Sequence, residues 1–290
     1  MIGFKDIKTF FENRFLTNKL NLATKLILDD FIIYGPYSMI RNYLGKNSIV
    51  SIIQEKTKNI LNDYYDLSQF SENNNIIILD IGANIGIYSL AYTKLPFSRV
   101  FAFEPFPSTY KFLNDNKNMN RIHNLNIYPF GLMDKKQTLS MGSPQVNATN
   151  NYFKKILNKS DEFESGCKTI FHDPGDMNNI NCSFEKGDSF FKKNKFNHLH
   201  YVKIDTEGSE YHVLQGMKET LALMKPIIQL EINTKLMNNV GLDINELKDL
   251  LINLGYKKYR LFGETQLNEK SINQLSTSSL YGSKDYVFFG

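Results

Sequence analysis

The sequence predicts an α/β fold built on a mostly parallel sheet. Three observations carry this. Short apolar runs alternate with amphipathic stretches from Ile76 onward. The runs are apolar throughout rather than at every second position, which marks strands buried on both faces. A glycine-containing turn follows the first of them and opens a helix, the place where open α/β sheets bind ligands.

In order, Ile76–Leu79 reads as a strand, Gly86–Thr93 as a helix and Val100–Phe103 as a second strand. Ser108 opens a helix to about Asn118, and Leu125–Phe130 is a third strand. Residues 134–190 are rich in Asn, Ser, Lys and Gly and break the rhythm. They read as an irregular insertion of loops and short strands. Strand His200–Ile204, helix Ser209–Leu221, strand Pro226–Ile232 and helix Ile244–Leu254 restore it. Tyr259–Phe262 and Tyr286–Phe289 have no helix between them and predict an antiparallel edge pair. Residues 1–70 read as a helical N-terminal extension or cap. Leu22, Leu26, Ile27 and Asp30 followed by Phe31 recur at helical spacing, Tyr34-Gly35-Pro36 ends that run, and Ile49–Leu61 forms a second helix. Residues 71–290 form the main domain.

At 290 residues and 42% hydrophobic content, the chain can bury a sizeable core. A net charge of +4 without a concentrated Lys/Arg block gives no nucleic-acid footprint. Two cysteines, Cys167 and Cys182, exclude a disulfide scaffold and a zinc cluster. The segment Leu20–Tyr34 is interrupted by Lys25, Asp29 and Asp30, so no transmembrane span is expected, and the N-terminus has no secretory pattern. A cytoplasmic protein is the expectation; the sequence leaves homo-oligomerisation open.

The turn Asp80-Ile81-Gly82-Ala83-Asn84-Ile85-Gly86 has the spacing D-x-G-x-x-x-G, not the G-x-G-x-x-G of dinucleotide sites. Asp80 would repel a pyrophosphate and suits a ligand with cationic groups, such as the ammonium and sulfonium of S-adenosylmethionine. Glu104 ends the second strand 18 residues beyond Gly86, where an acid accepts hydrogen bonds from ribose hydroxyls. Asp80, Gly82, Ala83, Asn84, Gly86, Glu104 and Pro105 are therefore the expected cofactor residues, with Gly131 and Leu132 beside the adenine. Tyr128, Tyr152 and Phe153 are weaker candidates for the pocket lining.

A second turn, Asp205-Thr206-Glu207-Gly208-Ser209-Glu210, follows the strand at 200–204 and should face the same crevice. Methylation of a hydroxyl needs the oxygen held in line and its proton removed. Asp205 is the first candidate base, or a ligand shared with Glu207 for a divalent metal ion. His172, in the insertion, is a further candidate base. Glu231 and Asn233, at the tip of the next strand, and Glu210 are candidate contacts to the acceptor, with helix capping the alternative for Glu210. His200, inside a strand, reads as a core residue.

The stretches LDIGANIGIYSLA, FAFEPFPSTYKFLNDNKNMN and YVKIDTEGSEYHVLQGM, from about Ile76 to Asn233, resemble the FkbM-type methyltransferases, and D-x-E-G-x-E is their most specific part. Phe184-Glu185-Lys186-Gly187-Asp188-Ser189-Phe190 is similar to the family's "LDxF" segment, with Lys186-Gly187 in place of Thr-Leu. The resemblance implies a Rossmann-like class I methyltransferase sheet of seven strands. It implies S-adenosylmethionine as cofactor and O-methylation of a carbohydrate, such as a surface polysaccharide or glycan precursor, or of a similar polyol. A non-sugar small molecule, a nucleic acid, or a non-catalytic binding role are the alternatives. The acidic turn lacks the N/D-P-P-aromatic signature of amino-methylating nucleic-acid enzymes, so no nucleic-acid partner is expected.

Overall fold

The structure is a computed structural model. It describes residues 23–290 except 41, 42, 44, 47, 143–168, 172–178, 235, 236, 238–240 and 277–282. Residues 1–22, Tyr152, Phe153, Cys167 and His172 thus lie outside the described residues.

Five parallel strands form the centre of the main sheet: β3 (Ile76–Ile81), β4 (Ser98–Phe103), β5 (Leu125–Tyr128), β9 (Tyr201–Ile204) and β10 (Ile227–Asn233). The spatial order is β10-β9-β3-β4-β5, continued beyond β10 by the antiparallel strands β13 (Ser283–Phe289), β11 (Lys258–Leu261) and the two-residue β12 (Lys270–Ser271). The expected Rossmann-like α/β class holds, with seven main strands and a short eighth. The last strand inserts between β10 and β11, which makes the predicted antiparallel edge. Winding starts at β3 and proceeds outward on both sides, so the carboxyl ends of β3 and β9 meet at a topological switch point.

Alternate residues of each strand serve opposite layers. Ile76, Ile78, Val100, Ala102 and Tyr201 pack under the helices Ile49–Asn62, Ile87–Thr93 and Pro107–Met119. Leu79, Ile81, Phe101, Phe103, Val202 and Ile204 pack under Glu210–Gly216 and Ile244–Asn253. Ile78 and Val202 have no exposed surface. Truncating either to alanine costs about 2–5 kcal/mol.

The N-terminal reading needs correction. Ala23–Leu28 and Phe31–Pro36 form an antiparallel hairpin (β1, β2), not a helix; Ile49–Asn62 is helical as expected. Leu28, Phe31 and Ile33 point inward while Ile27 and Ile32 stay exposed, a period of two that the sparse leucines disguised as helical spacing. The turn is Asp29-Asp30, with Asp29 at φ 53°, a left-handed conformation that Asp tolerates. The edge strand of this hairpin is held by side chains. Asn116, in helix Pro107–Met119, bonds the N–H and C=O of Tyr34, and Asn120, at the end of that helix, those of Ile32.

The helix expected over Ser209–Leu221 is two, Glu210–Gly216 and Lys218–Met224, broken at Met217. The Gly216 backbone lies so close to the Met133 carbonyl that a β-carbon would stand 1.8 Å from it. Asp188 captures the amides of Glu219 and Thr220, at 3.3 and 2.9 Å, and so caps the second helix. Asp188 thus has a capping role, and its neighbour Gly187 is demanded by the Met217 side chain, 2.2 Å from where a β-carbon would be.

Within the insertion, β7 (Gln137–Met141) and β8 (Ile180–Lys186) join β6 (Gly131–Met133) in a three-stranded sheet. Among the described residues, no helix is long and apolar enough to cross a membrane.

Candidate active site

One crevice opens at the switch point. The glycine turn after β3 lines it from one side and the acidic turn after β9 from the other. Gly82, Ala83, Asn84, Glu104, Pro105, Gly131 and Leu132, all predicted from sequence, line its walls. Gly82 and Gly86 have φ of 80° and 96°, the left-handed region. The glycine requirement has a cause the sequence did not expose: a β-carbon at Gly82 would meet the Asp205 carbonyl oxygen, and one at Gly86 the Leu113 side chain. Gly86 is therefore a packing position rather than a wall.

Glu104 sits at the tip of β4, nearly buried. Its carboxylate accepts from the amides of Asn84 (3.0 Å) and Phe106 (2.9 Å), which tie the first turn to the second. Burial pushes its pKa up to about 7 against the pull of those two amides.

Asp80 differs from expectation. It is wholly buried beneath the turn and not part of the crevice wall. Ser89 Oγ donates to Oδ2 at 2.5 Å, while Oδ1 has no hydrogen-bond partner and lies 3.9 Å from the Lys203 ammonium. Its influence on a ligand is electrostatic and through the turn it supports, rather than by direct contact.

Lys203, which the sequence reading passed over, is the centre of charge. Its Nζ lies 2.8 Å from Asp205 Oδ2 and 4.5 Å from the centre of the Tyr88 ring, and the residue is 2% exposed. Burial opposes its charge, but Asp205, Asp80 and Asp285 outweigh that and hold its pKa well above the ordinary lysine value. Tyr88 in turn donates to Asp285 (3.0 Å), which also accepts from Gln229 (2.7 Å). The Gln229 oxygen accepts from Tyr92 and Tyr201, so the polar groups beneath the crevice form one connected network. An inward polar residue at alternate positions of β9 and β10 (Lys203, Gln229) was the available signal.

On the acidic turn, Glu207 and Gly208 take φ of 56° and 108°. Asp205, Glu207 and Glu231 each offer an oxygen within 4.8 Å of the others. Burial would raise Asp205, but Lys203 brings its pKa below the usual carboxylate value; Glu231 is pushed up to about 9 by burial and by the charges of Asp205 and Glu207. The opposite shifts favour the ionised form of Asp205 and the protonated form of Glu231, which also accepts from Ser283 Oγ. Glu210 does not line the crevice. Its carboxylate accepts from Thr206 N (2.8 Å), Thr206 Oγ1 and Gly208 N, so it braces the turn ahead of its helix, a structural role like the alternative read from sequence. Asn233 ends β10 beside Glu231 without lining the crevice.

His200 accepts at Nδ1 from the Ile77 amide (2.9 Å), and burial lowers its pKa to about 4, the core role read from sequence. Tyr128 stacks on Phe103 (5.0 Å) in an aromatic cluster with Phe130 and Phe190, not in the crevice. Two residues that sequence gave no reason to choose, Tyr43 and Ile170, add to the walls. Thr169, beside Ile170, donates to the Glu207 carbonyl and so braces the acidic turn.

These residues fit S-adenosylmethionine. A left-handed glycine turn brings bare backbone without a side chain to the wall, Glu104 stands at the second strand tip for a diol, and the surrounding carboxylates suit a cation.

Comparison with known proteins agrees. Residues 80–258 match the methyltransferase FkbM domain. A protein of Beauveria bassiana, "Methyltransferase 1", is 23% identical over 212 residues, 67% of this chain and 74% of its own length. Among solved structures, methyltransferase FkbM from Methylobacillus flagellatus is similar over 76% of this chain, with 15% identity and a TM-score of 0.44. This chain covers only 44% of that protein. M. jannaschii TYW2, solved with AdoMet, is similar over 94% of this chain and 86% of its own, with 14% identity and a TM-score of 0.41. With both turns, Glu104 and the strands between them inside a domain match that spans more than half of its length, the chain belongs to the FkbM methyltransferase family.

Proposed function

We propose that this methyltransferase uses S-adenosylmethionine to methylate a hydroxyl of a carbohydrate or similar polyol, with Asp205 as general base. The observation that carries this reading is the acidic turn: Asp205 lines the crevice that Glu104 also lines, and Glu231 lies close to Asp205, with the two carboxyl pKa values pushed in opposite directions. Paired carboxylates with separated pKa values divide the work of accepting a proton and donating a hydrogen bond.

Gly82, Ala83 and Asn84 would hold the cofactor against backbone, Glu104 its ribose, and Gly131 and Leu132 its adenine. The bound cofactor supplies an electrophilic methyl group on a sulfonium. Asp205 accepts the acceptor hydroxyl's proton as the oxygen becomes nucleophilic. Glu231 and Asn233, the strand-tip residues expected to contact the acceptor, do not line the crevice; Glu231 acts on it through its neighbour Asp205. Glu210 fixes the turn on which Asp205 and Glu207 stand. The acidic acceptor side disfavours phosphate-rich acceptors, which supports a sugar over a nucleic acid.

The experiment is a transfer assay with tritiated-methyl donor against free sugars, glycosides, non-sugar polyols and RNA transcripts. Label in a sugar or polyol, released as the methyl ether, is the expected result. Label only in RNA, or in an amine, would replace this reading.

A further inference from the structure

We propose that Lys203 is a positioning residue whose ammonium serves as the resident cation of the acidic turn, holding Asp205 in place and taking the role that a divalent metal ion would otherwise fill. The inference rests on the reading of this crevice as the methyl-transfer site, and it goes further by assigning the turn's charge balance to the chain itself.

The geometry argues it. Asp205, Glu207 and Glu231 approach one another closely enough to share a cation. Yet Asp205 Oδ2 is already engaged by Lys203 Nζ at 2.8 Å, and Glu231 is engaged by Ser283 Oγ. A hard divalent ion needs several free oxygens around it. Two of the three carboxylates already have one oxygen each committed to a partner within the protein.

Lys203 is also held where it is needed. It lies on the central strand β9, whose backbone pairs with β3 and β10 on either side. Its Nζ has Asp80 Oδ1 at 3.9 Å and the Tyr88 ring at 4.5 Å, and Tyr88 is fixed by Asp285. A cation clamped between two carboxylates and an aromatic face has little freedom to leave Asp205. The ammonium therefore offsets the turn's negative charge without drawing on a metal, and fixes the orientation of the Asp205 carboxylate.

The test uses the full chain with Mn²⁺ as probe, and neither acceptor nor cofactor. Electron paramagnetic resonance reads the free Mn²⁺, and thermal melting reads its effect on the fold. Wild type and Lys203→Arg should leave the free-ion signal unchanged up to about 1 mM, a range in which a built metal site would saturate. Lys203→Gln should acquire Mn²⁺ binding and be stabilised by it, and Lys203→Gln/Asp205→Asn should lose that response. Wild-type binding that Asp205→Asn abolishes would overturn the proposal. So would a folded Lys203→Gln that stays blind to Mn²⁺. Where Lys203→Gln does not fold, the blindness of wild type and Lys203→Arg decides: blindness of both supports the proposal, and binding by either overturns it. With no acceptor in the readout, failure here leaves the sugar assignment standing, and failure of the sugar panel leaves this one standing.

Discussion

Gly82 packs so tightly against Asp205 that a β-carbon on the glycine would stand 1.8 Å from the aspartate's carbonyl oxygen. The two chemical turns, far apart in sequence, are therefore one structural unit. Any side chain at Gly82 forces the acidic turn away and also strains a left-handed backbone. Gly82→Ala should destabilise the fold by about 2–5 kcal/mol, from overpacking and left-handed strain together. Urea unfolding checks this; an unchanged midpoint would show that the turns separate freely.

Glu104 makes cofactor binding pH-dependent. Its pKa of about 7 lies above the ordinary 4.5, so the folded chain holds this proton more tightly than the unfolded chain does. Its contribution to stability is fully present below about 4.5 and is lost as pH rises through about 7. With Glu104 placed on the ribose, as proposed, cofactor binding should run the other way, because the ionised carboxylate is the better acceptor for hydroxyls. Affinity for S-adenosylhomocysteine should fall about tenfold from pH 8 to pH 6. Glu104→Gln should flatten that profile. Calorimetry at several pH values reads both.

The acidic turn was legible in part. Its position followed from a strand, an acid-rich turn and a helix in succession, and the crevice brings Asp205 and Glu207 where the sequence put them. Asp80 and Glu210 were legible as acids but not as buried ones, since burial depends on Ser89, Lys203 and the turn amides meeting them in three dimensions. Lys203 was hidden for a related reason: a lysine amid apolar strand residues looks like an edge position until Asp80 and Asp285 from other strands, with Asp205 just beyond its own, surround it. The hairpin at 23–36 was misread because leucine and isoleucine at short spacing satisfy either period. What decides is its partner, the Asn116 and Asn120 side chains of a helix more than eighty residues on.

Asp205→Asn should retain cofactor affinity within a few-fold while turnover falls by about 10²–10⁴, the usual contribution of a general base. Loss of the Lys203 ion pair should also lower the melting temperature, so cofactor binding by the folded variant is the control. Chelator should leave wild-type turnover unchanged. Near-normal turnover in Asp205→Asn would remove this residue from the chemistry.

His200 should affect stability and not the reaction. Its pKa near 4, below the usual 6.5, means that its contribution to stability is fully present above pH 6.5 and is lost as pH falls through about 4. Replacing His200 with Asn should reduce the acid sensitivity of folding over that window and lower stability at pH 7, with turnover per folded molecule unchanged. Melting curves from pH 4 to pH 7 check it. A pH-rate profile that loses a limb in the variant would instead place His200 in the mechanism.

A calorimetric titration of S-adenosylhomocysteine into wild type and into Glu104→Ala at pH 8 tests the cofactor site most directly. Wild type should show saturable one-to-one binding, weakened in the folded variant by about 1.5–3 kcal/mol, the worth of charged hydrogen bonds to the ribose. Absence of binding to the wild-type chain, or equal affinity in the two proteins, would contradict the placement of the cofactor between the glycine turn and Glu104.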